Sequence, residues 1–221
     1  MNDVSVVVPA FNEEARLEAT LRALRKIPDL LEIIVVNDGS RDDTSAIAHL
    51  YADRVIDLPQ NQGKGRALQE GWRMATGEII VCVDADLEKT AVEVKHLLDA
   101  IREKGMDVTI SLFKPGSKAG LGFVRRRAQS IVYRQTGVFI SAPLSGQRAF
   151  RRKWLDVLLK EQYEGFGVET KMTIDLLKSG AKIMEVETTM AHREMGKSFR
   201  GFLHRFKQWR EIERHVKVVR K

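Results

Sequence analysis

The sequence predicts an α/β protein, a mostly parallel sheet flanked by helices and followed by a basic amphipathic C-terminal helix. Three observations carry this expectation. Short Val- and Ile-rich runs at residues 4–8, 33–36, 55–58, 79–83 and 108–112 alternate with stretches of helical spacing. Four of those runs lead into polar, acidic or glycine-bearing residues. The last 25 residues repeat aromatic and basic side chains at helical intervals.

The apolar runs are strand-sized and read as buried strands of a sheet covered on both faces. Between them, residues 13–27 place Leu17, Leu21 and Leu24 on one stripe, and residues 91–104 place Val94, Leu97, Leu98 and Ile101 on another. Residues 42–52 and 64–75 complete the helical set. The second half is less regular. A glycine-bearing loop at 114–122 leads to a basic helix at 123–137, a short strand around 147–150, helices near 154–160 and 168–178, and a strand at 183–187. The expected organisation is a ligand-binding half (1–113), a second half of the same domain (114–196) and the basic helix (197–221).

At 221 residues and 43% hydrophobic, the chain has the size and core of one domain. Its longest apolar runs fall short of the roughly 20 residues of a membrane span, and its N-terminus lacks a signal-peptide pattern. The single cysteine, Cys82, lies in an apolar run, which fits a buried structural thiol and a cytosolic compartment. The net charge of +7 is concentrated: residues 197–221, with nine Lys/Arg and two Glu, account for all of it. No acidic residue occurs between Asp107 and Asp156, where ten Lys/Arg do. Such zones suit phosphates, nucleic acid or an anionic membrane. A nucleic-acid role is disfavoured, because no binding module is present and the acidic strand ends repel a phosphate backbone.

The chemistry is expected at the carboxyl ends of the strands, where open α/β sheets gather ligands. There lie Asn12-Glu13-Glu14, Asn37-Asp38-Gly39-Ser40, Gly63-Lys64-Gly65 and Asp84-Ala85-Asp86. Singly, each has a plainer reading: Asn12 and Ser40 as helix caps, the glycines as turns. Together at one edge they suggest a site. Mg²⁺ or Mn²⁺ takes one or two carboxylates plus substrate phosphates, and Asp84 and Asp86 supply two. In an extended strand they point to opposite sides, so one binds directly while the other acts through water or holds a ribose. Lys64, between two glycines at a helix start, suits a diphosphate.

These four motifs, in this order and spacing over roughly the first 115 residues, resemble the family-2 glycosyltransferases of the GT-A (Rossmann-like) fold. The resemblance implies that Pro9, Ala10, Glu13 and Asp38 hold a nucleoside, and that Asp84 and Asp86 serve a metal and a diphosphate. With Asn12, Gly63 and Lys64 these form the expected nucleotide-sugar set. The family's second motif more often begins Asp-Asp; here Asn37 takes the first position.

In the second half, Arg125, Arg126 and Arg127, followed by Ser145-Gly146-Gln147-Arg148, resemble the acceptor region of polyprenyl-phosphate glycosyltransferases of the dolichyl-phosphate mannose synthase type. Their pattern commonly has Asp and Thr before Ser-Gly, where this chain has Ala142-Pro143-Leu144. Pro143 to Gly146, the run from Gly165 to Glu169, and His192 also resemble glucosyl-3-phosphoglycerate synthases, in which a histidine completes the metal site. The resemblance makes Asp86 and Glu169 the catalytic pair and Arg125, Arg126, Arg127, Ser145 and Arg148 the acceptor-phosphate set. Glu169 equally serves as a base, an acceptor-orienting group or a helix-start carboxylate. His192 equally serves as a third metal ligand, a diphosphate contact or a plain histidine, and Arg148 and Arg193 as phosphate clamps or solvated arginines.

In the tail, Phe199, Phe202, Leu203, Phe206 and Trp209 recur at helical spacing among cations. Such a helix docks on the core or lies on an anionic membrane. The expected activity is metal-dependent transfer of a sugar from a UDP- or GDP-sugar to a phosphate-bearing acceptor, a polyprenyl phosphate at the cytosolic membrane face. The alternative is a soluble enzyme acting on a small acceptor such as 3-phosphoglycerate. A homodimer stays open.

Overall fold

The computed structural model of the chain describes residues 2–113, 122–163 and 167–190. Strands β1 (Val4–Ala10), β2 (Leu30–Asn37), β3 (Arg54–Asp57) and β4 (Ile79–Cys82) are parallel neighbours in the order β3-β2-β1-β4. Their carboxyl ends therefore share one edge. The sheet continues through β6 (Arg148–Arg151), β5 (Val108–Phe113) and β7 (Ile183–Thr188), giving the order β3-β2-β1-β4-β6-β5-β7. Strand β6 is antiparallel to both neighbours, while β5 and β7 are parallel. The sheet is thus mostly parallel as expected. The reversed β6 was not foreseen, because the four residues Arg-Ala-Phe-Arg carry no direction in their pattern.

Helices α1 (Leu17–Leu24), α2 (Thr44–Tyr51), α3 (Lys64–Met74), α4 (Val94–Glu103), α5 (Gly122–Thr136), α6 (Leu155–Leu158) and α7 (Val168–Lys178) flank it. Alternate residues of β1 explain the continuous apolar runs. Val7 packs with Ile34, Val36, Leu68, Trp72 and Phe150, whereas Val6 and Val8 join Leu17, Leu21, Leu24, Leu97 and Ile101 on the other face. Both faces are buried, so the strand has no polar side to show. Trp72 meets Phe150 and Tyr163 edge-on, at 6.0 and 5.8 Å, and its Nε1–H donates to the Cys82 sulfur at 3.2 Å. Burial pushes the Cys82 thiol up to about 12, so it is neutral and structural at physiological pH.

Helix α1 begins at Leu17 rather than residue 13, because residues 14–16 form a turn, closed by the Arg16 and Leu17 amides donating to the Glu13 carbonyl. Residues 88–93 form a 3₁₀ turn that leads into α4. Among the described residues, no helix is long and apolar enough to cross a membrane. The C-terminal helix expected at 197–221 lies outside the described residues.

Candidate active site

The loops after β1 and β2 are laced together. Ser40 Oγ accepts from the Asn12 amide at 2.9 Å, Asn12 Oδ1 accepts from the Arg41 amide at 2.9 Å, and Thr44 Oγ1 accepts from the Glu13 amide at 2.8 Å. Asn12 sits at φ 56°, a left-handed conformation asparagine tolerates well. Neither Asn12 nor Ser40 caps a helix: the N-cap positions of α1 and α2 are Arg16 and Asp43, neither with a side-chain cap. Pro9 and Ala10 end β1 at the base of these loops.

The second and third motifs are joined through Asp38. Its two carboxylate oxygens accept from the Gln62 and Gly63 amides at 2.7 and 2.9 Å. Asp38 is only 3% exposed, so its place is beneath the loop and not open on the surface. Gly39, at φ 70°, lies against Gln60 and Asn61, where a Cβ would meet backbone at about 2.5 Å. A side chain there is excluded by both conformation and space.

Asp84 and Asp86 correct one expectation. Strand β4 ends at Cys82, and Ala85 and Asp86 form a turn, so the two carboxylates are not on opposite sides of an extended strand. Thr20 of α1 fastens that turn. Its hydroxyl donates to the Ala85 carbonyl at 2.8 Å and accepts from the Glu88 amide at 2.8 Å. Arg16 adds an ion pair to Glu88 at 3.0 Å.

The centre of the site is Lys64. Its ammonium lies 2.5 Å from Asp84 Oδ1 and 2.8 Å from Glu169 Oε1, bridging the first motif half to the start of α7. Gln147 Nε2 donates to the other Asp84 oxygen at 2.9 Å. Burial works against the Lys64 charge, but Asp84 and Glu169 outweigh it and hold the ammonium well above the ordinary lysine range. Lys64 therefore stands as a charged ammonium between two carboxylates. Gly146 makes the arrangement possible: a Cβ there would lie 2.6 Å from Lys64 Nζ and 2.9 Å from both Asp84 oxygens. Gly65 similarly admits the Tyr163 carbonyl, which a Cβ would strike at 1.9 Å.

The second-half residues divide. Glu169 joins the centre. Arg148 does not behave as either a phosphate clamp or a solvated arginine. It is 1% exposed and donates to the Ser145 carbonyl at 2.7 Å, Thr173 Oγ1 at 2.8 Å and the Pro143 carbonyl at 3.0 Å. Burial pulls its guanidinium down to about 10, still protonated at neutral pH. Its visible task is to hold the turn that presents Gly146 and Gln147. Ser145 is buried in that turn. Glu185 holds the segment before it, accepting from the Ser141 and Ala142 amides at 2.9 and 2.6 Å. Arg125 and Arg126 are exposed on α5 and Arg127 is half-buried. His192, Arg193, Gly165 and Phe166 lie outside the described residues. Thr20 and Gln147 were missed as site residues. Gln147 stood in a quoted motif, whereas Thr20 gave no signal beyond a polar residue amid the α1 stripe.

Among the described residues, no three His, Cys, Asp or Glu side chains converge as a metal cage. The donor chemistry still fits a hard cation that keeps phosphate and water ligands, since that requires only one or two carboxylates. Asp84, held by Lys64 and Gln147, and Asp86, half-buried in the turn two residues on, are the two carboxylates at this edge.

A mostly parallel sheet with these motif loops at one edge defines an α/β domain of the GT-A type. The family model for glycosyl transferase family 2 matches residues 5–159, and the chain belongs to that family. It is 32% identical over 169 residues to an undecaprenyl-phosphate 4-deoxy-4-formamido-L-arabinose transferase of Pseudomonas fluorescens, covering 71% of this chain and 49% of that protein. A transferase of the same name from Proteus mirabilis is 29% identical over 228 residues, covering 92% and 64%. The chain thus spans between about half and two thirds of the length of these relatives. Among solved structures, glucosyl-3-phosphoglycerate synthase of Mycobacterium tuberculosis with phosphoglyceric acid superposes with a TM-score of 0.76 at 28% identity, covering 92% of this chain and 76% of that one. The same enzyme with Mn²⁺, UDP-glucose and phosphoglyceric acid gives 0.74.

Proposed function

We propose that the chain transfers a sugar from a UDP- or GDP-sugar to a phosphate-bearing acceptor, a polyprenyl phosphate at the cytosolic face of a membrane. The observation that carries the reading is the Lys64 bridge, which joins Asp84 of the first half to Glu169 of the second. Two halves that read separately as donor and acceptor regions thereby meet at one polar centre, with Gly146 and Gln147 against it.

In this reading Pro9, Ala10, Asn12 and Glu13 frame the nucleoside, and Asp38 shapes that pocket by fixing Gln62 and Gly63. Asp84, Lys64 and Glu169 receive the sugar and its diphosphate. Asp86, with Asp84 and the proposed ligand His192, would hold Mg²⁺ or Mn²⁺; when bound, the cation offsets charge on the departing nucleoside diphosphate. An acceptor phosphate oxygen attacks the anomeric carbon as the carbon–oxygen bond to the diphosphate breaks, and the bonding pair leaves with the diphosphate. The acceptor phosphate is already ionised, so no group has to remove a proton from it. Glu169, paired with Lys64, orients rather than deprotonates. Arg125, Arg126 and Arg127 collect the acceptor phosphate, while Arg148 and Ser145 build the turn beside it.

The lipid acceptor is supported by the likeness to undecaprenyl-phosphate transferases, and the UDP donor and metal by the likeness to a synthase crystallised with Mn²⁺ and UDP-glucose. A small soluble acceptor is the second reading, favoured by the fold likeness to an enzyme crystallised with phosphoglyceric acid. Both acceptors are phosphate monoesters. The test is purified full-length chain, labelled UDP- and GDP-sugars and Mn²⁺, offered undecaprenyl phosphate in detergent or 3-phosphoglycerate in buffer. Label in the lipid supports the first reading and label in the soluble product the second. Transfer to neither, with no donor binding, removes both.

A further inference from the structure

Among the described residues, the side of α5 turned away from the core is exposed. Its inner face is formed by Val124, Ala128, Ile131 and Val132, all buried. On the opposite side, at 100° per residue, Phe123, Arg126, Tyr133 and Arg134 fall within an arc of about 100°. Phe123 is 71% exposed and Tyr133 56%. The helix stops at Gly137, at φ 74°, and Val138 and Phe139 follow it, the latter 62% exposed. Half of the exposed large hydrophobic side chains found among the described residues thus fall between residues 123 and 139. No acidic residue occurs in the sequence between Asp107 and Asp156, so α5 itself carries only basic charges.

We infer that this face of α5 docks on an anionic membrane surface, with its aromatic rings at the headgroup boundary and its arginines paired to lipid phosphates. Aromatic and basic side chains alternating on one helical face are the combination an interface rewards: rings gain by leaving water while cations stay among anions. An acidic protein groove would match the arginines alone, and a second copy of this chain would bring like charges together. The docking deepens the polyprenyl-phosphate reading and rests on it for its purpose, since it brings the Arg125–Arg127 segment to the surface where a lipid phosphate lies.

Co-sedimentation of the full chain with phosphatidylcholine vesicles, with and without phosphatidylglycerol, tests this directly. Wild type is expected to bind the anionic vesicles and to release as salt rises. Phe123→Ser with Phe139→Ser is expected to lower binding roughly tenfold. Arg126→Gln with Arg134→Gln is expected to lower binding to the anionic vesicles by an order of magnitude or more, at about fivefold per arginine. Leu50→Ser, which alters an equally exposed apolar residue elsewhere (75% exposed), leaves binding unchanged. Both α5 variants keep the wild-type melting temperature, because none of the four side chains is buried. Equal binding by wild type and both α5 variants overturns the proposal, as does no binding by wild type. A dimer that Phe123→Ser disperses replaces the membrane with a second copy. Donor-induced thermal shifts on the same proteins separate the outcomes: if they persist without vesicle binding, the transferase reading stands and the acceptor is soluble.

Discussion

Asn37 donates its side-chain amide to the Asp57 carboxylate at 2.7 Å, so the residue that departs from the usual Asp-Asp of the second motif is matched by a carboxylate on the next strand. The other side of the Asn37 amide accepts from the Ser40 amide at 3.1 Å. Asn37 therefore connects β3 to the loop laced with Asn12. Burial disfavours the Asp57 charge, but hydrogen bonds from Asn37, Ser45 and His49 outweigh it and keep the carboxyl below its usual range.

An aspartate at position 37 would set two carboxylates face to face. Asn37→Asp is expected to lower stability at neutral pH by about 1–2 kcal/mol, from the lost hydrogen bond and a desolvated oxygen. That corresponds to a melting shift of roughly 2–8 °C. Asp57→Asn in the same chain restores a donor–acceptor pair and should recover most of the loss and of the donor affinity. The pH dependence has a definite sign. Wild-type Asp57, with a depressed folded value, contributes stability above the unfolded carboxylate range, and loses it as pH falls through the folded value. In Asn37→Asp one carboxyl of the pair has a raised value, so its penalty is relieved at acid pH. The gap between the two proteins should narrow from pH 7 to about pH 4 in thermal melts; a constant gap would remove the pairing argument.

The Lys64 bridge yields a pair of expectations. Lys64→Met leaves Asp84 and Glu169 without their shared cation, and transfer is expected to fall by roughly 10²-fold or more, the scale of losing one partner of a desolvated charge pair. Gly146→Ala introduces a methyl 2.6 Å from the ammonium. Because the atom in the way is the tip of a flexible side chain, the fold should adjust with little change in melting temperature while Lys64 is displaced from Asp84. Steady-state transfer alongside thermal melts checks both. Unchanged transfer in Gly146→Ala would show that the bridge is incidental to the reaction.

The four parallel strands and the site edge were legible because buried strands of a two-faced sheet are continuous Val/Ile runs, and because Asn12, Asp38, Lys64 and Asp84 each follow one. What was not legible depends on contacts far apart in the chain. The direction of β6 is set by pairing with Ile79–Cys82, some 70 residues earlier. Arg148 read as a phosphate clamp or a solvated cation because arginine is usually exposed; its burial follows from three acceptors, Pro143, Ser145 and Thr173, gathered by the fold. The pairing of Lys64 with Glu169 was not legible, because the two are 105 positions apart. The Asp84–Asp86 pair was placed in a strand because a Val-rich run does not announce where it stops.

Arg148 separates a structural from a catalytic role. Were it an open phosphate clamp, Arg148→Met would be folded, stable and inactive. Its burial instead predicts a loss of roughly 3 kcal/mol or more, since three acceptors lose their donor in a site closed to water. The melting temperature should drop by about 6–12 °C. Arg148→Lys cannot reach three divergent acceptors with one ammonium and should recover only part. Differential scanning calorimetry decides the matter, and a wild-type melting temperature in Arg148→Met would return this residue to the acceptor-phosphate set.

The metal is tested by removal and by position. A donor that binds only the folded protein stabilises it by about 2.7 kcal/mol at a hundredfold excess over its dissociation constant, a shift of roughly 5–11 °C for a chain of this size. UDP- or GDP-sugar with Mn²⁺ should produce that shift in wild type, and EDTA should remove most of it. Asp86→Ala should abolish the metal-dependent part, because Asp86 stands in the turn after β4 while Asp84 is held by Lys64 and Gln147. Asp84→Asn should behave differently. It retains an oxygen for Lys64 but loses charge at the bridge, so donor binding weakens with or without metal. If both variants lost only the metal-dependent part, Asp84 would be a ligand on equal terms with Asp86, and the bridge to Lys64 would have to open when the donor binds.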